Sequence, residues 1–280
     1  MQEAIPSRTA LRVALRRAAH QIIDSPRVLD DPIAVPILGR EYAEDLRRTP
    51  RRDDRPFSIS LRAHMVVRSR YAEDNLRSAV ESGVQQYVLL GAGLDTFAYR
   101  NPWPALRVFE VDHPATQQWK RDLLHKNSIA IPQNLAYVSV DFEQQSLAAR
   151  LSQAGFNTNA PAFFAWLGVV PYLTLSAFQS TVGLIASQPA GSGVVLDYGL
   201  PREALPPLEQ WAHDSLASRV KKVGEPFQLF FTPQTIAAQF ANFSRIEDLG
   251  SSQINARYFS GRKDQLKLLG AAARLFAAWR

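Results

Sequence analysis

Residues 85–112 read QQYVLLGAGLDTFAYRNPWPALRVFEVD: a short apolar run, a glycine-rich corner, and a second apolar run that stops on a carboxylate. Gln86 to Leu90 has the unbroken apolar character of a parallel strand buried on both faces. Gly91 and Gly93 let the backbone turn sharply and let a ligand approach it closely. Asp112 comes 21 residues after Gly91, at the end of the next predicted strand, where one carboxylate can accept both hydroxyl hydrogens of a ribose diol. A glycine pair alone says little. Joined to the acid and two strands, it describes a strand-turn-helix-strand unit that holds an adenosyl cofactor.

NAD, FAD and S-adenosyl-L-methionine can all occupy such a corner. A dinucleotide site needs a third small residue for helix packing and a helix N-terminus free for the pyrophosphate. Here that third position is Thr96, and Asp95 places a carboxylate at the helix start. A negative charge there repels a diphosphate and suits a sulfonium, which ranks S-adenosyl-L-methionine first. Asp95 and Thr96 also read as ordinary caps of the following helix, which holds for any ligand.

The 280 residues are 46% hydrophobic and 21% charged, as expected of a soluble globular chain. With no cysteine there is no disulfide, thiolate metal site or cysteine nucleophile, which is consistent with the cytoplasm. The histidines, at 20, 64, 113, 125 and 213, lack the spacing of a helical zinc site, so no metal is expected. Net charge is +6, with a cluster at Arg47, Arg48, Arg51, Arg52 and Arg55 interrupted by Asp53 and Asp54. Pro50 and Pro56 mark that cluster as a solvated loop, and no aromatic residues are interleaved for base stacking, so a nucleic-acid partner is not expected. Ser7 to Ile23 carries Leu11, Ala14, Leu15, Ala18, Ala19, Ile22 and Ile23 on one helical face, which indicates a helix packed on the body and no targeting signal. Residues 151–196 contain no charged side chain, yet Pro161, Pro171 and Pro189 break them below membrane-spanning length. They read as two buried strands with a helix between, and the uncharged outer face around Ser176 to Ser187 is a candidate homodimer contact.

Strand candidates recur at Leu135–Val140, Phe163–Val169 and Val194–Tyr198, with helices at Pro114–Lys126 and Gln144–Ala154. SRIEDLG and INARYF, within 244–259, complete seven strands before a final helix ending near Trp279. Alternation of strands and helices gives an α/β, doubly wound, Rossmann-like sheet that is mainly parallel. One domain is expected: a helical cap over 1–80, a cofactor-binding core over 81–200, a cap insertion over 201–230, and C-terminal strands and a helix over 231–280. Gly91, Asp112, Asp141 and Gly168 fall at or near strand carboxyl ends and converge on one crevice.

LLGAGLDTFAYR with VFEVDHP, preceded by SRTALRVALRRAAH, DDPIA and RSRYAEDNL and followed by FFAWLGVVPYLT and VVLDYG, resembles the bacterial branch of the leucine carboxyl methyltransferase and polyketide O-methyltransferase family. The likeness covers roughly residues 7–200. It implies that Arg68 binds the methionine carboxylate, that Gly91, Ala92 and Gly93 line the cofactor loop beside Asp95, that Asp112 holds the ribose, and that Asp141 and Phe142 meet the adenine. His113 is given a capping or cofactor-edge role. One position departs: many relatives carry an acid after the fourth strand, where this chain has Leu167, so the acceptor class is not inherited.

Methyl transfer from a sulfonium is an in-line displacement that leaves a neutral thioether, so alignment and exclusion of water are the protein's main tasks. A carboxylate acceptor needs no base. A phenol or alcohol gains from one, and His113, Tyr172 and His213 are the candidates. The expected activity is O-methylation of a small molecule, selected by residues 1–65 and 200–230, with S-adenosyl-L-homocysteine as product. N- or C-methylation on the same fold, a NAD-dependent oxidoreductase and a non-catalytic binder of S-adenosyl-L-methionine are the alternatives.

Overall fold

Strand β1, Gln86–Leu90, is buried along its whole length because it is paired and covered on every side. It lies parallel to both β2 (Arg107–Asp112) and β4 (Phe163–Trp166), with Leu90 opposite Val111 and Leu89 opposite Ala165. In this computed structural model, residues 8–49, 55–141, 145–221, 224 and 226–280 are described. Adding β3 (Leu135–Ser139), β5 (Gly193–Gly199), β6 (Arg245–Leu249) and β7 (Ala273–Trp279) gives a seven-stranded sheet in the order β3-β2-β1-β4-β5-β7-β6. Only β7 runs against its neighbours, β5 and β6. The chain winds outward one way from β1 and the other way from β4, so the crevice between their carboxyl ends is where a ligand enters such a sheet.

The helices are α1 (Arg8–Ile23), α2 (Arg40–Arg48), α3 (Pro56–Glu81), α4 (Pro114–Lys126), α5 (Leu147–Gln153), α6 (Leu175–Ala186), α7 (Pro207–Lys221), α8 (Pro233–Gln239) and α9 (Ser251–Tyr258). Alternate strand residues feed two cores. Tyr87, Leu89, Val108, Phe163 and Val195 pack with Val67, Tyr71 and Leu76 of α3. Val88, Leu90, Phe109, Phe164 and Trp166 pack with Phe178 and Ile185 of α6 and Ile236 of α8. Because both faces are covered, these strands read as continuous apolar runs rather than alternating ones. A third cluster sets Ala14 and Ala18 of α1 against Leu94 and Leu124, which fixes the first helix over the glycine corner.

Three expectations fail. INARYF forms the second half of α9 and its C-cap Phe259, not a strand: Gln253 Oε1 accepts the Gly250 N–H at 2.8 Å and caps the helix start, and Ile254 is its fully buried anchor. The C-terminal segment is the strand β7, not a helix. Its alanines suggest a helix by propensity, but Leu275, Phe276, Ala277 and Ala278 are buried between β5 and β6, and that packing overrides the propensity. The helix expected between β1 and β2 is a single 3-10 turn, Phe97–Arg100. SRIEDLG does form β6, and α6 occupies the expected position, with Leu175 half-exposed on its outer side.

Candidate active site

A cavity of about 320 Å³ opens at the carboxyl ends of β1 and β4, and Arg68, Gly91, Gly93, Asp112, Asp141 and Gly168 all line it. Ala92, Asp95, His113, Leu167 and Tyr172 line it too. His213 does not, and Phe142, Arg51 and Arg52 lie outside the described residues.

The corner is built for close backbone approach. Gly91 has φ +68°, and a Cβ there would sit 2.3 Å from Val169 Cγ2, so both conformation and space demand glycine. The Gly91 and Ala92 N–H groups both donate to the Val111 carbonyl, at 2.8 and 2.9 Å, tying the turn to β2. At the end of β2, Asp112 accepts the Gly93 N–H on Oδ2 and the His113 N–H on Oδ1, the latter at 2.7 Å. Burial pushes the Asp112 carboxyl up, against the pull of those two donors. Each oxygen keeps a lone pair, so a fixed carboxylate faces the cavity with capacity to accept from both hydroxyls of a vicinal diol, and these acceptors fit a ribose.

Arg68 is held by a second acid that sequence reasoning missed. Its Nη1 donates to Asp197 Oδ2 at 3.1 Å, while Oδ1 of Asp197 accepts the Gly168 N–H at 2.5 Å. Gly168 has φ +72°, and a Cβ there would lie 2.7 Å from Nη1, so the guanidinium rests flat on bare backbone. His64 Nε2 stands 3.1 Å from Asp197 Oδ2, the oxygen that also accepts from Arg68. Burial would raise the Asp197 pKa, but Arg68, His64 and the Gly168 N–H together hold it well below the ordinary carboxylate range. One of the five guanidinium donors is used on Asp197, which fits Arg68 for a further carboxylate. A sign of Asp197 is present in the sequence: VVLDYG, like VFEVD, is an apolar strand run broken by an acid. Its pairing with α3 spans more than a hundred residues and has no local signal.

Asp95 does not carry the free charge expected of it. Arg17 of α1 donates to Asp95 Oδ2 at 2.9 Å, to Asp31 Oδ2 at 2.6 Å and to Thr96 Oγ1 at 2.7 Å. Burial would raise the Asp95 carboxyl, but Arg17, Lys120, the Phe97 N–H and Arg100 together more than reverse it and hold it below the ordinary carboxylate range. Charge repulsion of a diphosphate is thus no argument here, because an arginine offsets the acid. Thr96 stands at the N-cap of the 3-10 turn without a capping bond, its hydroxyl donating to Asp31 Oδ2 at 2.6 Å, while Asp95 Oδ1 accepts the Phe97 N–H at 2.7 Å and caps the turn.

Of the imidazole and phenol candidates, His113 caps α4, its Nδ1 accepting the Ala115 N–H at 3.3 Å. A neutral His113 therefore carries its proton on Nε2. Tyr172 sits on the cavity wall with its ring 5.3 Å from that of Phe227. Beside it, residues 226–229 are strapped to the loop after β4, Gln228 donating its N–H to the Pro171 carbonyl at 2.7 Å and its Nε2 to the Tyr172 carbonyl at 2.9 Å. His213 of α7 lies behind this strap, its ring 5.2 Å from Phe230. Among the described residues no group of three His, Cys, Asp or Glu is placed to hold a metal, and no helix is long and apolar enough to cross a membrane.

Known proteins share both sequence and fold with this chain. Residues 10–186 match the leucine carboxyl methyltransferase family. A Bacillus subtilis (strain 168) protein named "Putative S-adenosyl-L-methionine-dependent methyltransferase YktD" is 33% identical over 95% of both chains. A Mycobacteroides abscessus relative with the same functional name is 34% identical over 68% of this chain and 64% of its own length. In fold, a crystal structure from Thermobifida fusca YX titled as a "putative methyltransferase" aligns with a TM-score of 0.59 and 17% identity, covering 96% of this chain and 94% of that one. The chain belongs to the leucine carboxyl methyltransferase family of S-adenosyl-L-methionine-dependent enzymes.

Proposed function

We propose that this enzyme methylates an oxygen atom of a small molecule, with the cofactor lying along the cavity from Arg68 to Asp141. The observation that carries the reading is the convergence of Arg68, Asp112 and Asp141 on one cavity at the switch point between β1 and β4. Arg68, braced by Asp197, takes the methionine carboxylate. Asp112, fixed by two backbone N–H groups, takes the ribose diol, and Asp141 takes the adenine edge. Gly91 and Gly93 leave room for the cofactor against the backbone.

When bound, S-adenosyl-L-methionine supplies an electrophilic methyl group whose leaving group is neutral. The protein's part is orientation and exclusion of water. Val13, Leu167, Val169, Leu173 and Pro226 give the remaining wall an apolar part, beside the uncharged polar side chains of Thr9, Ser69, Tyr172 and Gln228. That setting suits an uncharged hydroxyl acceptor, whose proton must then be removed. Calorimetry with S-adenosyl-L-methionine, followed by mass spectrometry of a mixed panel of hydroxyl, carboxylate and amine acceptors, tests the reading. Turnover of amines alone would refute it.

A further inference from the structure

Along α1 the first cavity ends at Arg17, and a second, of about 490 Å³, opens at Gln21 and Ile22. Its other walls come from the segment 27–36, the start of α2 and Asn127 at the C-terminal end of α4. A volume of that order is what small-molecule sites occupy. The uncharged polar groups of the wall are already engaged. Gln21 Nε2 donates to the Leu29 carbonyl at 2.9 Å while its Oε1 accepts the Asp31 N–H at 3.0 Å, and Asn127 Nδ2 donates to the Leu123 carbonyl at 2.9 Å. Asp31 also lines this cavity, and its fully buried carboxylate is taken by Arg17, Thr96 and Arg100.

What is left for a ligand has two characters. Ile22, Pro32, Val35, Pro36 and Ala43 present an apolar surface, and the exposed side chains of Arg27, Arg40 and Arg47 bring three guanidinium groups to it. Arg27 and Arg40 each lend one nitrogen to an acid of their own segment, Asp30 at 3.0 Å and Glu44 at 3.2 Å. Exposed pairs of this kind hold weakly, and a guanidinium has five donors, so both arginines keep donors for a ligand. Arg47 enters no ion pair among the described residues. The one acid on the wall, Asp31, is offset by Arg17 and Arg100, so the cavity carries an excess of positive charge. Solvation of a basic loop accounts for Arg47 being exposed; it does not account for its meeting Arg27, from a separate segment, on one apolar cavity.

We propose that this cavity binds an amphiphilic anion: a small molecule whose apolar body lies against Ile22, Val35 and Pro36 and whose carboxylate or phosphate headgroup lies among Arg27, Arg40 and Arg47. Guanidinium groups take either headgroup through paired N–H donors. Burial of the apolar body supplies affinity, and the arginines select for charge. The site stands apart from methyl transfer, since no residue lining it lines the first cavity.

Titration calorimetry of the intact protein with octanoate, octyl phosphate and octanol, each below its aggregation limit, tests the site. Saturable binding of either anion, one molecule per chain and tighter than octanol by about 10-fold or more, is the expected result, and the tighter of the two anions names the headgroup. Added S-adenosyl-L-homocysteine should leave that binding unchanged. In the triple variant Arg27→Gln, Arg40→Gln, Arg47→Gln, whose substitutions are all on exposed side chains, the melting curve should hold while affinity for the anion falls about 10-fold. The proposal is overturned if neither anion saturates, if octanol binds as tightly as both, or if the triple variant binds the anion as the parent does. Displacement of the anion by S-adenosyl-L-homocysteine also overturns it, by placing the anion in the first cavity, and leaves the methyltransferase reading standing.

Discussion

Arg17 and Asp95 are joined at 2.9 Å across 78 residues of sequence, and through them the first helix is latched onto the cofactor loop. Asp31, fully buried, accepts from the same guanidinium and stands 3.3 Å from Arg100 Nε. Arg17→Leu removes the guanidinium from Asp95, which keeps the Phe97 N–H, and weakens the hold on Asp31. Removal of one partner from a buried ion pair costs about 3–5 kcal/mol, so thermal unfolding of this variant should begin well below that of the parent. A midpoint within a degree of the parent would mean that the latch contributes nothing.

Gly91→Ala meets two obstacles, a left-handed backbone and a Cβ 2.3 Å from Val169 Cγ2. Loss of about 1–3 kcal/mol is expected from each kind of strain. The double variant Gly91→Ala with Val169→Ala should recover part of the loss, since it relieves the collision and leaves φ strained. Chemical denaturation of the two variants separates these terms, and full recovery would show that conformation does not matter at this position.

Asp197 gives a pH prediction with a definite sign. Its folded pKa lies below the ordinary value, so the unfolded chain binds the proton first as pH falls. The stabilisation from the ionised group is therefore complete above about pH 5 and is lost as pH drops through the normal carboxylate value near 3.9 and below. Asp197→Asn cannot titrate. The stability gap between parent and variant, followed by denaturant melts from pH 6 to 3, should narrow at the acid end. A gap that widens there would reverse the assigned shift.

The sequence is most legible where local chemistry and burial agree. The β1 corner shows itself because glycines, apolar runs and a terminal acid all lie within 28 residues, and the structure brings Gly91, Asp112, Asp141 and Gly168 together as their strand-end positions require. β7 is illegible for the opposite reason: its alanines favour a helix in isolation, and only the neighbouring strands make them a strand. Long-range pairing hides the rest. Nothing near His64 announces Asp197, 133 residues away, and nothing near Asp95 announces that Arg17 offsets its charge.

The central claim is that the cavity at the β1 corner binds S-adenosyl-L-methionine through the Asp112 carboxylate. Titration calorimetry of Asp112→Ala measures it most directly. Loss of a buried acceptor costs about 1–3 kcal/mol, so affinity should fall by about 5-fold to 150-fold while the melting curve shows an intact fold. An unchanged affinity for S-adenosyl-L-methionine in that variant would contradict the account.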